Sequence, residues 1–238
     1  MTRSGRSASA LIGVIPIALI IGIWQAIAAS GLAPPSILPP PAAVFARLVQ
    51  QLGSPAYLDH VATTLFRLFT GFAIAAVIGV TIGVAATGSR AVEAIVQPLV
   101  RVLAPVPKIA LVVADAAFPI LLATHQGTSA VEPKLAWSAR AAGTSPLACL
   151  VTVVLPAALP SVLTGCRIAL VISCIVVFLA EMITSTDGLG HLLVRASRSF
   201  QTVDMFVPLI TISLLGLLLN VGFNALRARL LAGFPEEP

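Results

Sequence analysis

Apolar and polar segments alternate along this chain at a spacing that matches the thickness of a lipid bilayer. About 20 uncharged apolar residues are enough to span the hydrocarbon core as a helix. Three segments meet that length: Ala10–Ala29, Leu68–Thr87 and Met205–Leu226. Two more are apolar but carry a charge, Asp115 within Ile109–Thr124 and Glu181 within Ile168–Ile183. The short alternating segments of a β-barrel are not seen, so the pattern predicts an all-α polytopic transmembrane bundle.

The first connecting segments have patterns of their own. The prolines of residues 34–41 cannot lie inside a helix and predict an extended connector. Ala42–Leu52 then has the pattern of a short amphipathic helix at the membrane interface. Within the second span, Ala75, Gly79 and Gly83 are spaced four apart, which predicts close packing against another helix.

Composition and charge support the same class. The chain of 238 residues is 58% hydrophobic and 10% charged, whereas a soluble domain is about 25% charged. The net charge of +5 comes from basic residues in short loops and tails, so it indicates membrane orientation rather than nucleic-acid binding. Arg3 and Arg6 precede the first span, and Arg227 and Arg229 follow the last, which predicts that both termini are cytoplasmic. The first span is longer than a signal-peptide core, which favours an uncleaved anchor.

Two cytoplasmic termini require an even number of crossings, but five apolar segments are present. We therefore expect that Val96–Thr124 folds as two short or re-entrant pieces kinked near Pro105–Pro107, or that one orientation signal is overruled. With a single crossing there, the polar segment from His125 to Leu150 would face away from the cytoplasm.

That polar segment has the signals of two short helices joined by a tight turn. Pro133 fits the first turn of a helix over Leu135–Ala142, and Gly143 suits a left-handed turn that ends it. Thr144 or Ser145 can cap a second helix that begins at Pro146. Such a helix, with basic residues exposed, suits docking on another protein; an ordinary cytoplasmic hairpin is the alternative.

The same segment resembles the EAA loop of ABC importer permeases. Residues 132–145 read EPKLAWSARAAGTS, and residues 155–160 read LPAALP, as in that family. The resemblance continues through residues 164–170 (TGCRIAL), 180–183 (AEMI) and 188–190 (GLG). Upstream it includes Pro39–Val44 and Arg67 followed by Gly71 and Phe72. It covers nearly the whole chain, and the branch it is most similar to transports sulfonates, nitrate, taurine and related solutes.

The resemblance implies a single permease domain over residues 1–238 with the MetI-like fold and five to six membrane helices, one of them shortened. It implies no catalysis and no cofactor of its own, since ATP is bound by a separate ATPase dimer. The implied partners are that dimer, a second permease subunit, most simply a copy of this chain, and a periplasmic or lipid-anchored solute-binding protein. The expected location is the bacterial inner membrane, with lipid around it.

The ATPase would dock on a coupling loop at about residues 130–160. The loop residues to which the resemblance assigns this contact are Glu132, Pro133, Leu135, Ser138, Ala139, Arg140, Gly143, Thr144, Ser145, Leu155, Pro156 and Pro160.

Two departures from the family pattern bear on activity. Trp137 and Ser138 stand where the family has Glu-Ala, so the acidic contact is missing. Between Lys108 and Phe118 about one helix, roughly 20 residues, is absent relative to the family. A transport-impaired homologue is therefore the main alternative to an active permease. A membrane-bound enzyme is a further alternative, but the sequence pairs no catalytic carboxylates, histidines or cysteines.

Charged residues at membrane depth are candidate functional sites. Asp115 is a candidate solute or ion site, although a tolerated change is favoured. Glu181 is expected to pair with a nearby helix or loop, and Arg167 to extend toward the cytoplasmic interface. The three histidines are expected in loops, among them His191 in a polar loop over Thr184–Asp204. The three cysteines are expected in apolar packing, and no metal site is predicted.

Overall fold

In a computed structural model, which describes residues 3–86 and 108–232, every regular element is helical. The long helices are α1 (Arg3–Ser30), α3 (Pro55–Ala86), α4 (Lys108–Ser129), α8 (Leu159–Thr184) and α10 (Thr202–Leu230). The short ones are α2 (Pro41–Leu52), α5 (Pro133–Ala141), α6 (Pro146–Cys149), α7 (Leu155–Ala157) and α9 (Leu189–Arg198), with a π-helical turn over Leu150–Val154.

The long helices confirm the all-α prediction and extend the predicted spans at their ends. Within the described residues, three helices are long and apolar enough to cross a membrane: α3, α8 and α10. Their outward faces remain apolar, as Phe66, Val77, Ile175 and Leu218 show with more than half of each side chain exposed. A surface of that kind is stable in lipid and not in water.

The glycines of α3 bring α4 into direct backbone contact. A methyl group added at Gly71 would meet Val112, one at Gly79 would meet Ile120 and the carbonyl oxygen of Ala117, and one at Gly83 would meet Thr124. The predicted small-residue ridge is therefore a helix–helix contact. From one contact to the next, the residue number increases on both helices. Helices α3 and α4 therefore run in the same direction.

Helix α8 packs antiparallel to α4. Gly165 of α8 lies against Ala123 of α4, and Ser161 of α8 lies against Gly127 of α4. The residue numbers on α8 therefore fall as those on α4 rise. Ala75, Ile120 and Ala169, one from each of α3, α4 and α8, are fully buried in a shared cluster.

Helix α10 is in turn antiparallel to α8. Arg167 contacts Asn220, and Cys174 lies near Gly216. Helices α3, α4 and α10 therefore all finish at one end of the bundle, where the segment 130–160 lies, and we call this the loop end. The opposite end, where α8 finishes, is the Glu181 end.

This arrangement answers the question of crossings in part. Ala86 lies at the loop end and Lys108 at the Glu181 end, while residues 87–107, on which the predicted kink near Pro105–Pro107 falls, lie outside the described residues. The segment 130–160 shares its end with Arg227 and Arg229 of α10. This follows from the antiparallel packing of α8 on α4 and of α10 on α8. Whether residues 96–124 form two pieces or one crossing stays a prediction, because part of that range lies outside the described residues.

Three predicted boundaries are corrected. Residues 125–129 continue α4, because Gly127 packs closely on α8. The 34–41 connector is not extended but turns, with the amide of Ile37 donating to the carbonyl of Pro34. The predicted polar loop 184–204 contains α9, whose Leu189 is buried in a cluster with Val44 and Val207. The predicted amphipathic helix, α2, is confirmed and contributes Val44 to the same cluster.

We expect Gly79→Val to destabilise the bundle by about 1–3 kcal/mol, because the added atoms would overlap the backbone of α4. The matched control is Gly22→Val in α1, where a methyl group would meet nothing within 4 Å. Thermal unfolding in detergent, followed by circular dichroism, would measure the difference. Equal melting temperatures for the two variants would contradict the close α3–α4 contact.

Candidate functional site

The segment 130–160 folds as the predicted helical hairpin, which we call the helical loop. Glu132 precedes α5 and Pro133 occupies its first turn. Gly143 has φ +87°, a left-handed conformation that glycine adopts without steric cost. The amide of Gly143 donates to the carbonyl of Arg140 at 3.0 Å, and that of Thr144 to the carbonyl of Ala139 at 3.2 Å. These bonds end α5 and reverse the chain.

The second arm of the helical loop starts as the sequence predicts. Ser145 caps α6, because its hydroxyl accepts from the amide of Ala148 at 3.3 Å. The chain then passes through the π-helical turn and α7, where Leu155 and Pro156 lie, to a single non-helical residue, Ala158. Pro160 lies in the first turn of α8. The predicted interruption is therefore local, and the path from α6 into α8 is helical on both sides of Ala158.

The helical loop exposes basic and apolar side chains together. Helix α5 buries none of its residues, and Lys134 and Arg140 are exposed on it. Trp137 and Leu147 are 67% and 72% exposed. A short exposed helix with both kinds of side chain can bind a complementary groove. Glu132, also exposed, lies outside α5 and does not occupy the position of Trp137.

A second polar cluster lies at the Glu181 end and is buried. The Glu181 side chain is completely buried and accepts from the Thr64 hydroxyl at 2.9 Å and from Arg67 Nη1 at 2.9 Å. The amide of Gly190 donates to Oε2 at 3.1 Å, the oxygen that also accepts from Thr64, whereas Arg67 donates to Oε1. The prediction that Glu181 pairs with a neighbouring helix or loop is confirmed, and its partners come from α3 and α9.

Arg67 joins this carboxylate to the turn between α8 and α9. Its guanidinium donates to Asp187, through both the side chain and the carbonyl, as well as to Glu181. Gly188 follows with φ +95°, and a methyl group there would overlap the Glu181 carboxylate. The cluster therefore fixes the turn onto α3. Because buried charges are stable only when paired and hydrogen-bonded, its role in this structure is positional.

The other candidates at membrane depth are apart from both clusters. Asp115 is exposed on α4 and forms no ion pair with any residue in 3–86 or 108–232. Arg167 is exposed, and its Nε donates to Asn220 Oδ1 at 3.1 Å, which joins α8 to α10. Its extension toward the cytoplasmic interface stays a prediction.

Histidines and cysteines do not form a reactive site in the described part of the chain. The histidines were expected in loops, but His60, His125 and His191 lie on helices. His60 Nδ1 accepts from the amide of Gly188 at 3.0 Å. The three cysteines are buried and unpaired with one another. No group of three metal-ligating side chains is found among the described residues.

The sequence did not single out Thr64 and His60 as partners in the Glu181 cluster. Arg67 had a signal, since the arginine before Gly71 and Phe72 is part of the pattern the chain resembles. Thr64 and His60 lie one turn and two turns before Arg67 on the same helix, a spacing that would have grouped them with it.

We expect Glu181→Ala to destabilise the protein by about 1–3 kcal/mol, because it leaves the Thr64 hydroxyl and the Gly190 amide without their buried acceptor and leaves Arg67 with Asp187 alone. The control is Arg47→Ala, which breaks a more exposed pair with Asp204 and should cost about 1 kcal/mol or less. Thermal unfolding would measure both. The double variant Arg67→Met, Glu181→Leu should recover part of the loss; if it is no more stable than Glu181→Ala, the pairing does not account for the loss.

Similarities to known proteins agree with these features. Residues 40–233 match the family described as "Binding-protein-dependent transport system inner membrane component". The taurine transport system permease protein TauC of Escherichia coli K12 is 28% identical over 90% of this chain and 86% of its own length. The putative aliphatic sulfonates transport permease protein SsuC of Bacillus subtilis 168 is 29% identical over 92% and 86%. The bicarbonate transport system permease protein CmpB of Synechococcus elongatus is 31% identical over 87% and 85%.

A solved structure supports the fold. A chain of the MetNI methionine ABC transporter, in an inward-facing conformation, superimposes with a TM-score of 0.56 and 20% identity over 74% of this chain and 94% of that one. At that identity the likeness concerns the fold alone. Given the family match over most of its length, this membrane protein is not an enzyme but an ABC transporter permease, and it belongs to the family of binding-protein-dependent transport system inner membrane components.

Proposed function

We propose that this chain is the multi-pass inner-membrane permease subunit of an ATP-driven importer, with the helical loop as its coupling surface for the ATPase. The observation that carries the proposal is the position of that loop. It lies at the same end of the bundle as Arg227 and Arg229, which the positive-inside rule places in the cytoplasm. An ATPase that binds cytoplasmic ATP can reach the loop only there.

The loop's chemistry suits such a partner. Arg140 and Lys134 are exposed on α5 beside Trp137, so the surface offers both charge and apolar area to a groove. Gly143 sets the direction of α5, because its left-handed conformation reverses the chain directly after that helix. In this proposal Leu135, Ser138 and Ala139 share the docking helix, and Leu155, Pro156 and Pro160 connect it to α8. ATP is bound by the partner, and the permease carries no cofactor.

The solute is proposed to be a small organic or inorganic anion. The relatives named for taurine, aliphatic sulfonates and bicarbonate support that class, since their solutes carry an anionic head group. A solute-binding protein, periplasmic or lipid-anchored, would deliver the solute at the Glu181 end. In this proposal the solute-binding protein selects the solute, and the permease provides the path across the membrane.

A second copy of this chain is proposed to complete the path. Helix α10 has the least buried apolar window of the three spanning helices, at 17%. Its exposed residues include Leu217, Leu218 and Val221. Part of such a face can pack on a second permease subunit, and the remainder faces lipid. A transport-impaired homologue is the second candidate, because the acidic position of the docking helix is held by Trp137.

Orientation can be tested with single cysteines at the two ends. Ser138→Cys on α5 and Ser199→Cys after α9 would both be exposed, whereas the three native cysteines are buried. We expect a membrane-impermeant maleimide added to intact cells to label Ser199→Cys, and to label Ser138→Cys only after permeabilisation. The unsubstituted protein, in which only the three buried native cysteines are present, is the control and should not be labelled. Labelling of Ser138→Cys in intact cells would contradict the proposed coupling surface.

Docking can be tested at Gly143. A β-branched residue there must adopt a left-handed conformation that costs about 1–2 kcal/mol, so Gly143→Val should reduce copurification of a coexpressed cognate ATPase by about tenfold. Gly143→Asn is the matched control, because asparagine tolerates this conformation. Undiminished copurification with Gly143→Val and with the charge reversal Arg140→Glu would refute docking on this loop.

A further inference from the structure

One cavity at the Glu181 end is polar at its rim, in a molecule that is otherwise largely apolar. Its volume is about 270 Å³, and it lies between α2, α3, α9 and α10. Val207 and Pro208 of α10, both buried, line it together with Leu192 of α9. Polar side chains from all four helices line the rest. Most of the lining residues are thus polar, and an apolar patch lies beside them. Convergent polar groups next to apolar surface can orient a small amphipathic molecule.

Two of the charges at this cavity neutralise each other. Arg47 Nε donates to Asp204 Oδ1 at 2.6 Å and its Nη2 to Oδ2 at 3.4 Å, while Nη1 donates to Gln50. The hydrogen bond that Arg47 donates to Asp204 raises the pKa of Arg47 above its ordinary value, so the guanidinium stays charged and paired with this carboxylate. Arg47 and Asp204 therefore contribute no net charge to the cavity.

Arg195 is different, because its charge is not balanced. It lines the cavity from α9, is exposed and forms no ion pair with any residue of 3–86 or 108–232. His60 also lines the cavity. Since its Nδ1 accepts from the amide of Gly188, a neutral ring carries its proton on Nε2 and can donate a hydrogen bond. The cavity thus has one uncompensated cation and hydrogen-bond donors, beside an apolar wall.

We propose that this cavity binds a small organic anion with a short apolar tail. The oxyanion head would accept hydrogen bonds from Arg195, and the tail would contact Val207 and Pro208. A guanidinium suits this role because its planar donors match the oxygens of sulfonate or carboxylate groups. That the bound anion is the transported solute rests on the proposed function, because only then does the Glu181 end face the delivery side.

The test uses the full-length protein in lipid nanodiscs, titrated with ethanesulfonate. Ethyltrimethylammonium, with the same tail and the opposite charge, is the ligand control. We expect ethanesulfonate to bind, and the cation not to bind, in saturation-transfer NMR or calorimetry. Arg195→Gln should raise the Kd for ethanesulfonate by about tenfold or more, the usual loss when a charge-assisted hydrogen bond is removed.

The matched control is Arg198→Gln, one turn further along α9. Arg198 is also exposed but lines a neighbouring depression instead of this cavity, so its loss should leave the Kd unchanged.

A second, independent variant is Ala56→Phe, which fills the cavity without changing any charge. It should weaken binding as well. Because one variant removes charge and the other adds volume, either one alone tests the site if the other fails to fold.

Equal weakening by Arg195→Gln and Arg198→Gln would overturn the proposal, since surface charge alone would then explain binding. Unchanged binding in a folded Ala56→Phe protein would also overturn it. If Arg195→Gln reduces retention of a solute-binding protein but leaves the Kd for ethanesulfonate unchanged, the cavity is a protein contact instead. Ethanesulfonate binding that persists when no ATPase copurifies would refute the coupling proposal and leave the anion site standing.

Discussion

The arrangement of this bundle depends on the close contact between α3 and α4. Glycines four apart on α3 let the backbone of α4 approach so closely that added methyl groups would overlap it. In lipid, where apolar surface gains nothing by leaving the solvent, such packing is a main source of helix association. The contact holds α4 parallel to α3, while α8 packs antiparallel to α4 and α10 packs antiparallel to α8. As a result, the helical loop and the C-terminal arginines share one end.

The two ends of the bundle are built in different ways. At the Glu181 end, a buried carboxylate joins α3, α8 and α9 through hydrogen bonds and an ion pair. At the loop end, α5 buries nothing and is left for a partner. In the proposed function this contrast matters, because the Glu181 end keeps its geometry while the loop end stays available to a partner. The cavity beside Arg195 lies at the Glu181 end, where a small ligand would meet groups that hydrogen bonds already hold in place.

Much of the helical loop, and the fact that Glu181 is paired, could be predicted from the sequence. The capping residues Ser145 and Gly143 defined the helical loop because their signals act within one turn. The pairing of Glu181 followed from the cost of a buried charge, but its partners Thr64 and Gly190 come from distant parts of the chain. Helix α9 was missed because its polar face suggested a loop, while its buried Leu189 becomes apolar core only in the folded bundle. The parallel direction of α3 and α4 could not be predicted, since glycine spacing indicates contact but not direction.

The single non-helical residue at Ala158 has a mechanical consequence. Ala158 is 1% exposed and its carbonyl lies close to Gly127 of α4, so this point is held while helical segments extend from it on both sides. In the proposed coupling role, the chain path from α5 to α8 runs through α6, the π-helical turn and α7 to a point that is already packed on α4. A displacement of α5 that is to reach α8 and Glu181 must therefore also be accommodated by α4.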